Sequence, residues 1–276
     1  MKKWNLIVDV EKCENCYNCF IATKDEHVGN DFPGYAAPQP EHGHEWVKLH
    51  TFERGEMPMA DANFMPTMCN HCDEPACMKV AENGAVQKRA DGIVIIDPVK
   101  AKGQKQIVDA CPYGAIYWND DLEIPQTWIF DAHLLDKGWT KPRVEQVCPT
   151  FAIESVKISD EEMAGRAQRE ELRVLKPELG TKPRIYYKNL HLTDSLFIGG
   201  TVIDGKTDDC IDGAEIKLIK GGQEIAQTHS DCFGEFKFDG LPLQEADYQL
   251  EITHGGRSAK HECRVSSSAF LGLISL

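Results

Sequence analysis

Short apolar stretches, each cut off by proline, glycine or charged residues, run through the first two thirds of the chain. Four of them predict brief strands, at residues 5–10, 46–52, 93–96 and 153–158. Ser159, followed three residues later by Glu162, has the pattern of a capping box, which predicts a helix over residues 160–175. Residues 175–183, which include two prolines, are then expected to form an extended linker. The pattern indicates a loop-rich α+β region that ends near residue 190.

Apolar and polar positions alternate regularly in the last part of the chain. Residues 198–203, 214–219, 234–238 and 248–252 show this two-residue period, and Gly, Asp and Pro separate them. Short alternating strands at even spacing are typical of a small all-β sandwich. The apolar tail at residues 266–276 is expected to close its core. We therefore predict two domains, at 1–190 and 195–276, which suits the length of 276 residues.

The charge of the chain excludes one class of function. Its 44 acidic and 30 basic residues give a net charge of −14, and the sequence has no basic stripe of the kind that nucleic-acid binders carry. A solvated acidic surface is the simpler interpretation. Asp9 and Glu11 interrupt the apolar residues near the start, and no apolar run approaches the roughly 18–20 residues of a membrane span. We expect neither a signal peptide nor a membrane span, and a cytoplasmic location.

Cysteine supplies the candidate chemistry. Eight of the 11 cysteines precede residue 150, in two groups of three and two single Cys-Pro pairs. These eight are Cys13, Cys16, Cys19, Cys69, Cys72, Cys77, Cys111 and Cys148. The C-x2-C-x2-C spacing of the first group matches the first three ligands of a bacterial ferredoxin motif, whose fourth cysteine precedes proline. Because two [4Fe–4S] clusters need eight thiolates, the chain carries ligands for two clusters.

Structural zinc is the main alternative for these cysteines, because two sets of four thiolates could also hold two Zn²⁺ ions. Zinc ribbons usually use paired C-x2-C knuckles, so three close cysteines with a remote Cys-Pro favour iron–sulfur clusters. A disulfide framework is typical of short secreted chains and does not suit this one. Cys210, Cys232 and Cys263 are widely separated and are expected to be free thiols. His71 and Asp109 are expected beside the ligands rather than among them.

Further residues around the second group extend this pattern. Asn70-His71 and Glu74-Pro75-Ala76 lie between its cysteines, and residues 179–187 read Leu-Gly-Thr-Lys-Pro-Arg-Ile-Tyr-Tyr. Together with the eight cysteines, these residues resemble the iron–sulfur subunits of the dimethyl-sulfoxide-reductase family of molybdenum enzymes over residues 4–190. The resemblance implies a loop-rich, double ferredoxin-like fold. It also implies that Cys148 completes the ligands of the first group and Cys111 those of the second.

Members of that family usually carry four clusters, and the resemblance implies that this chain has lost two of them. Eight positions that hold ligand cysteines in such members have other residues here. One set is Thr23, Thr127, Phe130 and Val144. The other set is Ala81, Ala101, Gln104 and Ile107. Neither set makes a plausible group of iron ligands, so two clusters are expected.

The resemblance also implies a function. Such subunits transfer electrons beside a large catalytic subunit that holds molybdenum and pterin guanine dinucleotide, so a heterodimer is expected. The last part of the chain resembles transthyretin-like and Ig-like sandwiches, and this combination implies a member that moves a hydroxyl between polyphenols, from pyrogallol to phloroglucinol. Two alternatives stay open, an electron relay in another molybdenum oxidoreductase and a non-redox scaffold stapled by zinc. The chain has no Gly-x-Ser-x-Gly, His-Glu-x-x-His or phosphate-loop motif, so no catalytic residue is expected on it.

Overall fold

The computed structural model describes residues 1–276 and contains sixteen strands and seven helices. The strands are β1 (Lys3–Asp9), β2 (Val47–Glu56), β3 (Met59–Met68), β4 (Val86–Lys88), β5 (Val94–Ile96), β6 (Tyr117–Asn119), β7 (Ile124–Gln126), β8 (Ile153–Ile158), β9 (Ile185–Lys188), β10 (Leu196–Ile203), β11 (Glu215–Lys220), β12 (Gln223–His229), β13 (Glu235–Leu241), β14 (Ala246–His254), β15 (Arg257–Val265) and β16 (Ala269–Ser275). The helices are α1 (Asn18–His27), α2 (Ala76–Val80), α3 (Gln106–Asp109), α4 (Ala132–Leu135), α5 (Arg143–Gln146), α6 (Asp160–Arg169) and α7 (His191–Asp194). A 3₁₀ turn lies at Pro177–Leu179. None of the helices is long and apolar enough to cross a membrane.

The chain forms two compact units. The first contains Met1–Thr51 and Phe64–Leu190, and the second contains Phe52–Asn63 and His191–Leu276. From the sequence we placed residues 52–63 in the first domain. They form the tip of the β2–β3 hairpin, and the structure groups this tip with the second unit.

Arg54 anchors the hairpin tip within the second unit. Its guanidinium donates to the Asp239 carboxylate at 2.7 and 2.9 Å and to the Asp61 carboxylate at 3.1 and 2.9 Å. A buried charge needs such partners, because its desolvation is otherwise uncompensated. On β10, Gly199 leaves room for Met59 of the tip, since a Cβ there would lie 2.2 Å from the Met59 sulfur.

A three-stranded sheet, in the order β8–β1–β9, forms the centre of the first unit. β1 runs antiparallel to β8 and parallel to β9. Leu6 and Val8 of β1 are fully buried, as the middle strand of a sheet requires. Short helices and the hairpins β4–β5 and β6–β7 surround this sheet. The unit is therefore the loop-rich α+β region that the apolar pattern predicted.

α6 begins where the sequence predicted and ends earlier. Ser159 Oγ accepts a hydrogen bond from the Glu162 N–H, and the Glu162 carboxylate accepts one from the Ser159 N–H. The capping box is thereby confirmed. The helix ends at Arg169 because the chain then turns towards β9, where the backbones of Arg173 and Tyr187 exchange hydrogen bonds of 2.9 and 2.7 Å.

Residues 175–183 do not form the extended linker that the sequence predicted. They contain the 3₁₀ turn, and the strand that follows, β9, pairs with β1 in the first unit. Their backbone is tied down because the N–H groups of Asp73 and Glu74 donate to the carbonyls of Lys182 and Thr181, at 2.9 and 3.0 Å. This stretch is therefore a packed part of the first unit.

Two sheets make the second unit. One has the strand order β13–β10–β16 and the other β12–β11–β14–β15. Side chains from both sheets share a single apolar core, which is the arrangement of a β-sandwich. Its fully buried members are Ile198, Val202, Ala214, Ile216, Leu218, Leu250 and Ile252. The apolar tail forms β16, which runs parallel to β10 and completes the smaller sheet.

Two strands of the sandwich were not marked by the sequence pattern. β12 and β15 lie at the two edges of the four-stranded sheet, and most of their side chains are exposed or half-buried. An edge strand with solvated side chains needs few apolar residues, because the neighbouring backbone supplies its hydrogen bonds. Apolar alternation therefore does not reveal such strands.

Candidate metal centre

Three cysteines of the first group lie between β1 and the first turn of α1. The loop that carries them contains Asn15 and Tyr17 in left-handed conformations, with φ of 55° and 60°. Left-handed residues reverse the direction of a chain within a few positions. Cys19 is buried, Cys13 is half-buried and Cys16 is exposed. The first group therefore extends from the interior to the surface of the unit.

Cys148 reaches the first group from the end of α5. α5 packs against α1, and Asn18 Nδ2 donates to the carbonyl of Val147 at 3.4 Å. Arg143, the first residue of α5, forms an ion pair with Glu26 of α1. These contacts place the remote Cys-Pro pair beside the helix that bears Cys19.

The thiols of the first group act on one another electrostatically. Burial raises the pKa of Cys19 to about 12, and the thiols of Cys13, Cys16 and Cys148 add to the rise. Burial also raises the pKa of Cys13, and Cys148 and Cys16 again contribute. The structure thus brings Cys148 together with the three local cysteines.

The second group lies between β3 and α2. Cys69 and Cys72 follow β3 and flank His71, which has a left-handed conformation with φ of 43°. Cys77 is the second residue of α2. Cys111 follows α3, which packs against α2. Cys77 and Cys111 both pack against one buried apolar cluster, so local packing holds these two segments side by side.

Electrostatic effects group these four thiols as well. Burial raises the pKa of Cys69 well above its usual range, and the thiols of Cys77, Cys111 and Cys72 add to this. Burial raises the pKa of Cys77 to about 12, and Cys111 is the next cause. The structure therefore brings Cys111 together with the second group.

This donor set suits two [4Fe–4S] clusters, because each group offers four thiols. Burial and neighbouring thiols keep the protons on the thiols whose pKa values are raised. A bound iron centre reverses this balance, since a coordinating thiol is deprotonated. No three or more His, Cys, Asp or Glu side chains are grouped closely enough to hold a single metal ion. The remaining thiols, all in the second unit, are Cys210, Cys232 and Cys263.

Lys88 brings a positive charge to the second group. Its Nζ donates to the carbonyls of His71 at 2.7 Å and Gly92 at 2.6 Å, and lies 3.0 Å from the Asp73 carboxylate. The side chain is 17% exposed. Its charge lowers the pKa of the Cys72 thiol against the larger, raising effect of burial. Lys88 therefore favours the ionised form that a ligand thiol needs.

His71 lies beside the thiols of the second group. Its Nδ1 accepts a hydrogen bond from the Val94 N–H at 3.0 Å and lies 3.9 Å from the Cys69 sulfur. Burial, with the nearby charge of Lys88, lowers the pKa of His71 to about 3, so the ring is neutral. A ring nitrogen held by the backbone suits a supporting role rather than a ligand role. Asp109, at the end of α3, is exposed.

Other side chains fill the positions at which the resemblance implies lost ligands. The first set is at most 3% exposed, and its members are Thr23, Thr127, Phe130 and Val144. Thr23 Oγ1 donates to the Cys19 carbonyl at 2.8 Å, within α1. The Phe130 ring stacks on Trp128 with centroids 4.9 Å apart. These side chains serve packing and backbone hydrogen bonds.

The second set is packed in the same way. Ala101 and Ile107 are fully buried in an apolar cluster, against which Ala81 packs. Gln104 Oε1 accepts a hydrogen bond from the Glu82 N–H at 2.8 Å, and Gln104 Nε2 donates to the Glu82 carbonyl at 3.3 Å. Apolar side chains and the hydrogen-bonded amide of Gln104 therefore occupy the second set of positions.

Two threonines that affect ligand thiols escaped the sequence analysis. Thr150 Oγ1 lies 3.7 Å from the Cys148 sulfur. Burial raises the pKa of Cys72, and a hydrogen bond from the Thr181 side chain opposes that rise. Thr150 follows its cysteine by two residues, so a local signal existed for it. Thr181 is distant from Cys72 in the sequence and stands in the stretch that we expected to be a linker.

Comparison with known proteins adds a family to this geometry. Residues 60–158 match the family model described as a 4Fe-4S dicluster domain. The pyrogallol hydroxytransferase small subunit of Pelobacter acidigallici is 42% identical over 281 aligned residues, which cover 100% of both chains. The arsenate respiratory reductase iron–sulfur subunit ArrB of a Shewanella species is 26% identical over 66% of this chain and 94% of that protein. The Hdr-like menaquinol oxidoreductase iron–sulfur subunit 1 of Archaeoglobus fulgidus is 26% identical over 68% of this chain and 84% of that protein.

Solved structures match the chain only weakly. The 5-hydroxyisourate hydrolase of Klebsiella pneumoniae is 17% identical with a TM-score of 0.25, and the match covers 29% of this chain and 89% of that one. A score this low supports no conclusion about the fold. The sandwich is therefore defined by its own strand order and core.

Proposed function

This chain belongs to the iron–sulfur subunits of the dimethyl-sulfoxide-reductase family of molybdenum enzymes, and we propose that it is the electron-transfer subunit of a complex that moves a hydroxyl group between polyphenols. The observation that carries the proposal is the pair of four-thiol groups, each made from three neighbouring cysteines and one remote Cys-Pro. The Pelobacter relative, similar along the whole chain, supplies the substrate class through its name. Pyrogallol is the proposed substrate and phloroglucinol the proposed product.

The chain's own residues would hold two clusters. When bound, each [4Fe–4S] cluster supplies a centre that takes up or gives back one electron. The proposed ligands of the first cluster are Cys13, Cys16, Cys19 and Cys148. The proposed ligands of the second cluster are Cys69, Cys72, Cys77 and Cys111. Lys88 offsets negative charge at the second group, and the burial of Cys72 limits the access of water there.

The proposed reaction needs no net electrons. Pyrogallol and phloroglucinol are both trihydroxybenzenes, so one is converted into the other without gain or loss of atoms or electrons. We therefore propose that this subunit sets or restores the oxidation state of the partner's metal instead of passing electrons to a distant acceptor. The two sets of positions at which other residues replace ligand cysteines support this role, because they leave the chain with ligands for two clusters and not four.

The catalytic groups are proposed to lie on a large partner subunit in a heterodimer. That partner would bind molybdenum with pterin guanine dinucleotide, and this chain would contribute no catalytic residue. A cytoplasmic location is proposed from its free cysteines, which suit a reducing compartment. We also propose that the first unit is ferredoxin-like and that the sandwich is of the transthyretin-like or Ig-like type, from their strand orders.

Assay of the complete complex tests this function. Conversion of pyrogallol to phloroglucinol should proceed without a continuing supply of an oxidant or a reductant. Cys232→Ala changes an exposed free thiol and should leave the activity unchanged, whereas Cys111→Ala should remove it. Reduction of a sulfur or arsenic oxyanion with a dye as electron donor, in place of this conversion, would indicate a relay subunit and contradict the proposal. A colourless complex that contains zinc and no iron would contradict both the hydroxyl-transfer role and the electron-relay role.

A further inference from the structure

The C-terminal end of α1 places a histidine in the interior of the first unit. His27 is fully buried, and it lies on the buried side of α1 together with Cys19 and Thr23. Both of its ring nitrogens lack a hydrogen-bond partner. The rings of Trp46 and Phe32, which carry no charge, lie against it with centroids 4.8 and 5.4 Å away. Because a buried polar ring without a partner is costly, His27 needs a polar neighbour.

Asp131 is the carboxylate that faces this ring. It directly precedes α4, is 1% exposed and has a left-handed conformation with φ of 49°. Its Oδ2 accepts a hydrogen bond from the Arg143 N–H at 2.7 Å. Its Oδ1 has no hydrogen-bond partner and lies 3.7 Å from His27 Nε2. Two unpartnered polar groups therefore face each other in the interior.

The charged groups on the surrounding helices do not neutralise Asp131. The Arg143 guanidinium on α5 is paired with Glu26 of α1 and with the exposed Asp25. His133 of α4 lies with its Nε2 2.8 Å from the Glu26 carboxylate. Burial lowers the pKa of His133, although the hydrogen bond to Glu26 opposes this, so the ring is uncharged. A proton held between Asp131 and the ring that faces it would compensate the buried carboxylate.

α1 connects this pair of side chains to the first group of thiols. His27 follows Cys19 by eight residues in the same helix, a distance of about 12 Å at about 1.5 Å per residue. At an effective dielectric constant of about 20, a unit charge at that distance changes an ionisation equilibrium about tenfold. An electron added to a cluster at Cys19 therefore tightens proton binding at the pair by about this factor.

We propose that His27 and Asp131 form a buried proton-binding site that takes up a proton when the first cluster is reduced. The inference rests on the proposed function, because it requires that cluster. In a titration, dithionite supplies the electron and solvent supplies the proton. The route for the proton is Glu26, which is 14% exposed, and then His133. The Nδ1 of His133 has no hydrogen-bond partner, and its ring centroid lies 5.4 Å from that of His27.

Proton uptake makes the reduction potential of the first cluster depend on pH. At low pH the pair holds its proton in both oxidation states of the cluster, and at high pH it holds the proton in neither. The positive charge stabilises the reduced form, so the potential is higher at low pH. The total fall corresponds to the tenfold change in proton affinity, which equals about 59 mV for one electron.

Redox titrations of the complete complex at a series of pH values, followed by electron paramagnetic resonance, test the inference. The reduction step that is missing from Cys148→Ala belongs to the first cluster. In the wild type, the potential of this step should fall by about 59 mV between about pH 5 and pH 9. His27→Gln keeps a hydrogen-bonding group that takes up no proton, so it should remove the fall. Asp131→Asn should move the fall to lower pH, because the ring loses its counter-charge.

His44→Gln is the matched control. His44 is another buried histidine of the first unit, and its Nε2 lies 3.0 Å from the Trp118 carbonyl instead of facing a buried carboxylate. Its substitution should leave the pH dependence of the step unchanged. A fall that disappears in both histidine variants would assign the effect to general damage and overturn the proposal.

The remaining outcomes separate this inference from the proposed function. A wild-type potential that is constant with pH, or the same fall in His27→Gln as in the wild type, would overturn the proton-binding site. Should His27→Gln lose its first cluster, Asp131→Asn decides, because an unmoved fall in that variant would also overturn it. A wild-type complex without iron–sulfur signals would refute the proposed function. Intact signals with a potential independent of pH would refute the proton-binding site alone.

Discussion

Arg184 donates two hydrogen bonds to the carboxylate of Asp73, at 2.7 and 2.5 Å, although 111 positions separate the two residues. Asp73 follows Cys72 directly, and Arg184 precedes β9 of the central sheet. The Arg184 side chain is 4% exposed, and it also binds Asp160 at 2.8 Å and Asn5 at 3.0 Å. This ion pair ties the loop of the second group to the core of its unit.

Replacing Arg184 by alanine should lower the free energy of unfolding by about 2 kcal/mol, because Asp73, Asp160 and Asn5 lose a buried hydrogen-bond donor, whereas Lys88 stays beside Asp73. Urea denaturation followed by circular dichroism measures the change. Lys102→Ala serves as the control, since it removes an exposed pair with Glu123 and should change the stability by about 0.5 kcal/mol or less. Equal effects of the two substitutions would show that the Arg184 pair contributes no more than a surface ion pair.

The isolated subunit should contain about eight irons and about eight acid-labile sulfides, because two groups of four thiols support two [4Fe–4S] clusters. Chemical analysis of iron and sulfide against protein concentration measures both. About twelve irons would show that a third cluster binds at one of the two sets of positions where other residues replace cysteine, or that a residue other than cysteine binds iron. Two zinc ions and no iron would favour the scaffold interpretation.

Single substitutions should reveal how the cysteines are paired. Cys148→Ala should remove the cluster of the first group, and Cys111→Ala that of the second, because each is the fourth thiol of its group. Iron content and electron paramagnetic resonance report which cluster is lost. Cys263→Ala, in the sandwich, should keep both clusters. Loss of the opposite cluster in either variant would contradict the pairing.

The ion pair at the hairpin tip should make stability depend on pH. Burial raises the pKa of Asp239, but the hydrogen bonds from Arg54 outweigh it and hold the pKa at about 2, below the usual 3.8. A carboxyl with a lowered pKa in the folded chain stabilises the fold above its unfolded pKa, and this contribution is lost as the pH falls to the folded pKa. Asp239→Asn should therefore be less stable than the wild type at pH 7, and the difference should shrink between about pH 4 and pH 2.

Urea midpoints of both proteins at each pH measure that difference. Because both proteins are compared at the same pH, any loss of stability that they share, including that from release of iron in acid, cancels in the difference. Asp247→Asn changes a side chain that is 83% exposed and should follow the wild type at every pH. A difference between Asp239→Asn and the wild type that stays constant with pH would contradict the ionic role of Asp239.

Removing the sandwich should leave both clusters in place, because none of the eight thiols lies in the second unit. The deletion must take out His191–Leu276 and also replace residues 52–63 with a short turn, since the hairpin tip belongs to the removed unit. Electron paramagnetic resonance of this variant measures the clusters, and co-purification measures binding to the large subunit, which should weaken. Deletion of His191–Leu276 alone should aggregate, because it exposes the apolar contacts of Met59. A shortened protein that cannot hold iron would refute the independence of the first unit.

Features that depend on neighbouring residues were determined by the sequence alone. The spacing of Cys13, Cys16 and Cys19 identifies a ligand loop, because a few bonds of backbone suffice to bring these thiols close. The capping box of Ser159 and Glu162 formed as predicted, since both partners lie within one helical turn. Alternation predicted the sandwich strands whose side chains reach the core, because burial on one face of a strand imposes a two-residue period.

Only the tertiary structure decided the features that join distant parts of the chain. It brought Cys148 to the first group through the packing of α5 on α1, and it turned the expected linker into a packed segment whose Thr181 and Lys182 carbonyls accept hydrogen bonds from Glu74 and Asp73. It also moved the hairpin tip into the second unit through Arg54. A local pattern contains no information about such partners, because the free energy of these contacts comes from burial and hydrogen bonds between residues that become neighbours only when the chain has folded.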